Sequence, residues 1–234
     1  MPSTTVNSSA QGSILTGTAS TGIHYVWKDC VLAPNGIVQT SSVSNQQDIG
    51  PWVIAARSGN NFRLGRTFCY FDTSAYAGTI TALSLDFGSS GTSGINDYIV
   101  CESYAFNNGN SGTLSPGEFD RSTGWDVSTT LSSQQSFVGG LNTVTLNASA
   151  VALANGGLLN LVLIDYTYDY PDSPPGVGTH YGTINVGTSF QLDITYTASG
   201  FDSINGTTYT GLSQVNSVNR TGIQPIDEIN SIQA

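Results

Sequence analysis

The stretch FRLGRTFCYFD, residues 62–72, constrains the fold of this chain more than any other. In an extended backbone Phe62, Leu64, Arg66, Phe68 and Tyr70 share one face. Arg63, Gly65, Thr67, Cys69 and Phe71 share the other. The same period of two recurs at 80–87 (Leu83, Leu85, Phe87) and at 190–197 (Phe190, Leu192, Ile194, Tyr196). Leu158 to Tyr168 is almost wholly apolar, the pattern of a strand buried on both faces. Further strands are expected at Ile23–Lys28, Trp52–Arg57, 97–103 after the turn-forming run 88–94, Thr143–Leu146 and His180–Val186. One helix is expected, in the Ala-rich segment 147–157, whose two closing glycines suit a left-handed cap. About ten strands separated by turn clusters predict an all-β fold, an antiparallel jelly-roll β-sandwich with a short C-terminal extension. The expected divisions are an N-terminal arm at 1–20, a sandwich at 21–199 and a C-terminal tail at 200–234.

Charge excludes several functions. Only 9% of the 234 residues are charged, with 16 acids against 6 bases and a net charge of −10. Nucleic-acid binding and adhesion to an anionic membrane both need clustered cations, which this composition does not supply. No apolar run reaches the roughly 20 residues that span a bilayer. Ser, Thr and Asn are expected at the outward positions that Lys and Glu fill elsewhere. Cys30, Cys69 and Cys101 fit neither a disulfide framework nor a zinc spacing, and read as buried thiols. The first twenty residues lack the basic and apolar regions of a secretion signal, so the chain is expected to remain in the cytoplasm where it is made.

Little in the sequence points to catalysis. His24 and His180 are the only histidines, and no nucleophile-elbow, zincin or P-loop motif occurs. Asp165, Asp169 and Asp172 are the nearest thing to a carboxylate pair for glycoside hydrolysis. No catalytic residue and no cofactor are assigned. Asp97, Asp169 and Asp172 are weak candidates for a structural calcium ion. Trp52, Trp125, Tyr166, Tyr168 and Tyr170 are candidates for stacking on a sugar or on a partner protein, the three tyrosines sharing one face if the chain there is extended. Arg66, on an apolar strand face, needs a carboxylate, and Asp86 and Asp193 are the expected partners. In the tail a loose repeat recurs at 201–206, 215–220 and 226–231. Phe201, Ile204, Tyr209, Val218 and Ile229 are its expected docking residues.

Two resemblances bear on function. Residues 63–74 followed by 80–87 resemble the opening of DNRLRE-type β-sandwich modules, which are related to carbohydrate-binding modules. The matching positions are Arg66, Phe71, Asp72, Thr73, Ala82, Leu83 and Leu85, with Trp125 and Leu158–Asp165 following in order. The Ile-Asn-Gly-like tail and the Gly/Ser/Thr/Asn-rich body resemble virion proteins of tailed bacteriophages, in particular fibre, spike and head-decoration subunits. These resemblances imply a structural component of a phage virion, assembled in the host cytoplasm. Its partners would be other virion proteins and its own copies, a trimer being favoured, with a host-surface glycan as a candidate contact. The alternative they imply is a carbohydrate-binding module.

Overall fold

The computed structural model describes residues 1–16, 27–31, 37–40, 47–56, 59–76, 78–93, 97–104, 114, 125–184, 190–198, 203–204 and 207–208. The chain divides into two compact units, Met1–Thr197 and Ala198–Ala234. The first is an all-β sandwich in which every recorded strand register is antiparallel.

In chain order its strands are β1 (Ser3–Asn7), β2 (Ala10–Thr16), β3 (Ile37–Thr40), β4 (Gln47–Ala56), β5 (Gly59–Asp72), β6 (Gly78–Ser93), β7 (Asp97–Ser103), β8 (Trp125–Thr130), β9 (Gln135–Ser136), β10 (Gly140–Thr145), β11 (Leu158–Asp165), β12 (Gly178–Thr179), β13 (Tyr181–Ile184) and β14 (Gln191–Ala198). Among the described residues two short helices join them, α1 (Trp27–Val31) and α2 (Ala148–Asn155). One sheet is built on β6, paired with β14, β10 and β13, with β1 outside β14. The other runs from β4 through β5, β11 and β7 to β8, with β2 also on β5 and β3 on β2.

Two strand regions cross between the sheets. β1 pairs with β14 in the first sheet and β2 with β5 in the second. At the crossing the Ser8 amide donates to Phe190 O and the Ser9 amide to Tyr70 O. β4 pairs with β13 through Gln47–Ile49 and with β5 from Gly50 onward. Gly50 sits at that corner with φ of +103°, a conformation costly for any residue with a Cβ. The expected N-terminal arm is therefore part of the sandwich, as two strands, through residue 16.

The main core fills the space between the sheets. Cys69 and Phe71 of β5, Leu161 and Leu163 of β11 and Val100 of β7 meet Leu83, Leu85 and Phe87 of β6 and Leu192 and Ile194 of β14. The alternation expected for β5, β6 and β14 is the alternation found. A second core covers the opposite face of the β5 sheet, where Ile14, Leu64, Phe68, Tyr70, Ile99, Cys101, Val162 and Ile164 are buried with Trp27, Cys30, Val31, Leu114 and Trp125. This explains why Leu159 to Asp165 is buried without interruption.

Four local expectations are corrected. Residues 27–28 belong to a helix, not to the end of a strand over Ile23–Lys28, and 21–26 lie outside the described residues. One turn of α1 places Trp27, Cys30 and Val31 on a single side, all buried in the second core. The Gly/Ser run 88–93 continues β6, held by registers with β10 and β13, where a turn was expected. β11 ends at Asp165, and residues 166–172 form turns. The strand expected at His180–Val186 is β13, Tyr181–Ile184, with the short β12 before it at Gly178–Thr179 and 185–186 outside the described residues. The helix does form at α2: Asn147 caps it, its side-chain oxygen accepting from the Ser149 and Ala150 amides, and Gly157 at φ +97° carries the reversal after it.

In the second unit β15 (Ser203–Ile204) pairs with β16 (Thr207–Thr208). The intervening sequence is Asn205-Gly206, a dipeptide favoured in two-residue hairpin connections. Phe201, Tyr209, Val218 and Ile229 lie outside the described residues.

Candidate functional site

Arg66 is fully buried, on the face of β5 that the sequence assigns it. Its partner is Asp169, not Asp86 or Asp193. Arg66 Nε donates to Asp169 Oδ2 at 2.8 Å and Nη2 donates to Oδ1 at 2.7 Å, a bidentate fork. Nη2 also donates to the Val31 carbonyl at 3.2 Å. The guanidinium carbon lies 4.7 Å from the centre of the Trp125 ring. All of this sits inside the second core, and both charged side chains are 0% exposed. The turn after β11 makes the pairing possible by folding back over the sheet. Asp193 instead accepts a hydrogen bond from Thr5 Oγ1 across β1 and β14. Asp86 lies opposite Thr143 on β10.

Asp165 lies at the root of that turn and is also 0% exposed. Its Oδ1 accepts from the amides of Tyr168 and Asp169, while Oδ2 is buried without a hydrogen-bond partner. Burial pushes its carboxyl up to about 7; the backbone bond from Tyr168 opposes the rise and the charge of Asp169 adds to it. Sequence reasoning singled out Asp165 only as one of three acids, because its burial depends on tertiary cover.

The turn also settles the tyrosines. Tyr166 and Tyr170 stack on each other, ring centres 5.4 Å apart and planes 15° from parallel. Tyr168 packs on His180, ring centres 5.0 Å apart. All three are half-buried against the second core, so they do not line one face of an extended strand. Trp125 is 1% exposed and unavailable for stacking on a ligand. His24 lies outside the described residues.

The three calcium candidates are not brought together. Asp169 is bound to Arg66, Asp172 accepts from Trp27 Nε1 at 3.0 Å, and Asp97 accepts from Gln134 and Ser136. Among the described residues no three His, Cys, Asp or Glu side chains gather as a metal site. Nor is any described helix long and apolar enough to cross a membrane.

Trp52, the remaining aromatic candidate, is half-buried on β4, directly across from Arg63 on β5. The Arg63 guanidinium carbon stands 5.0 Å from the Trp52 ring centre. Arg63 Nε is buried without a hydrogen-bond partner, and no described carboxylate pairs with this arginine.

The outer face of the β6 sheet presents Ser3, Thr5 and Asn7 from β1, Gln191, Asp193 and Thr195 from β14, Thr79, Thr81, Ser84 and Asp86 from β6, and Leu141, Thr143 and Thr145 from β10. Among these described side chains, Asp86 and Asp193 are the charged ones. A cleft of about 230 Å³ opens at the C-terminal end of α2, between Thr73, Ser74, Tyr76, Ile80 and Asn155–Gly157. Asn155 is locked there, its Oδ1 accepting from the Ile80 amide and its Nδ2 donating to the Ile80 and Val151 carbonyls.

No protein-family model matches this chain, and no curated protein matches it.

Proposed function

We propose that this chain is a structural subunit of a tailed-phage virion, of the fibre, spike or decoration kind, that works by protein–protein assembly. The observation that carries the reading is the outer face of the β6 sheet, a broad surface of hydroxyls and amides with two carboxylates. Covering such a face desolvates few ions, so a partner strand or sheet meets little electrostatic penalty there. The Ile-Asn repeat of the tail supplies a second docking element, and the compositional likeness to virion proteins supplies the setting. Light scattering on the purified chain tests this. Stable oligomers, a trimer foremost, support it, as does incorporation into particles that deletion of 200–234 abolishes while the sandwich stays folded. A strictly monomeric chain that never enters particles contradicts it.

A carbohydrate-binding module is the second reading, favoured by the polar cleft with Tyr76 at its side. A monomer retained on a polysaccharide affinity gel selects this reading over assembly.

A further inference from the structure

We infer that Arg63, lying on Trp52, is the hydrogen-bond donor and cation that binds a carboxylate presented by a second copy of this chain. The inference rests on the assembly reading above and names one contact within it.

The chain carries 16 acids and 6 bases, so an arginine has many carboxylates to choose from. Arg66, three residues along the same strand, has taken one in a bidentate fork. Arg63 has taken none among the described residues. Its Nε–H is buried without a hydrogen-bond partner, while the side chain as a whole keeps some exposure, so a carboxylate from outside meets its Nη groups. The side chain as a whole is half-buried, and its guanidinium carbon lies 5.0 Å from the centre of the indole ring. A planar fork held on an aromatic face is pre-organised for a planar two-oxygen acceptor, so little side-chain freedom is lost on binding. The register Trp52↔Arg63 holds both side chains on one face of paired strands, a rigid base for the site. The acid surplus of each copy names the source: neighbouring subunits bring carboxylates in excess, and this cation is where one is neutralised.

The test is sedimentation velocity on the full chain across a concentration series, at low and high salt, with wild type, Arg63→Lys and Arg63→Gln. Near-ultraviolet circular dichroism verifies that the variants are folded. Wild type should self-associate; because salt also screens the repulsion between two copies of net charge −10, the reading is the difference between wild type and variant at each salt concentration. R63Q should associate at least roughly tenfold more weakly at low salt, and the gap to wild type should narrow at high salt. R63K should fall between, keeping the charge without the fork. Equal association of R63Q and wild type overturns the inference while leaving assembly intact. A chain that neither associates nor enters particles overturns both. Binding of a glucuronate-containing oligosaccharide that requires Arg63, in a chain that stays monomeric, assigns the site to an acidic sugar and also overturns the second-copy occupant.

Discussion

Strand β5 carries two arginines on opposite faces, each lying on a tryptophan, and the two have opposite fates. Arg66 and Trp125 are sealed in the second core, with Asp169 closing the fork and both charges fully buried. Arg63 and Trp52 stand half-buried on the other face, with no carboxylate among the described residues paired to the arginine. The chemistry of the pairs is nearly the same; the cover differs. The turn after β11 folds over one face and delivers an acid. No described acid reaches the other. A buried, satisfied ion pair specifies how loops close on a sheet, whereas an open one on the same strand is free to read a partner.

The largest effect should come from breaking the closed pair. Asp169→Ala leaves a buried guanidinium uncompensated and should cost about 3–5 kcal/mol in denaturant unfolding. Replacing both members, Arg66→Met with Asp169→Leu, should recover most of that loss, since two charges no longer need desolvation. If D169A is nearly neutral, the second core is not closed as described.

Asp165 sharpens the contrast through pH. Its folded carboxyl titrates near 7, against roughly 3.9 in an unfolded chain. Folding therefore takes up a proton between those values. The stability tied to Asp165 is full below about pH 4, declines as pH rises and is gone above about 7. Asp165→Asn mimics the protonated form and should gain roughly 4 kcal/mol at pH 8 relative to wild type, with little gain at pH 4. Urea midpoints at the two pH values check this, and an equal gain at both would assign the effect to something other than the buried carboxyl.

Smallest of all should be the stability change in Arg63→Gln. Loss of a half-exposed cation–π contact is worth within about 1 kcal/mol. Thermal unfolding should thus barely separate R63Q from wild type, even where association separates them. A loss as large as that of D169A would make Arg63 a fold residue and erase the difference between the two faces.

Much of this was legible in the residues. Period-two alternation placed Arg66 and Arg63 on opposite faces of β5 and called for a carboxylate near the first. The partner was not legible. Asp169 lies 103 positions away in the chain, and Tyr166, Tyr168 and Tyr170 imitate strand alternation, which hid the turn that carries it. Trp125 looked like an exposed platform for the same reason, since nothing local to a tryptophan says what covers it. The one-turn helix at Trp27 was hidden by the aromatic run before it, although Trp27, Cys30 and Val31 already had helical spacing. The outer face of the β6 sheet was the easiest to foresee, because its hydroxyls alternate with the core residues themselves.

Nitrogen-15 spectra of the arginine Nε–H groups, recorded from dilute to concentrated protein, test both arginines at once. The Arg66 signal should be protected from solvent exchange and stay fixed across the series. The Arg63 signal should move as copies associate and a carboxylate reaches it. A stationary Arg63 signal in protein that demonstrably associates, or an Arg66 signal that moves along with it, would contradict the division between a closed ion pair and one completed by a second copy.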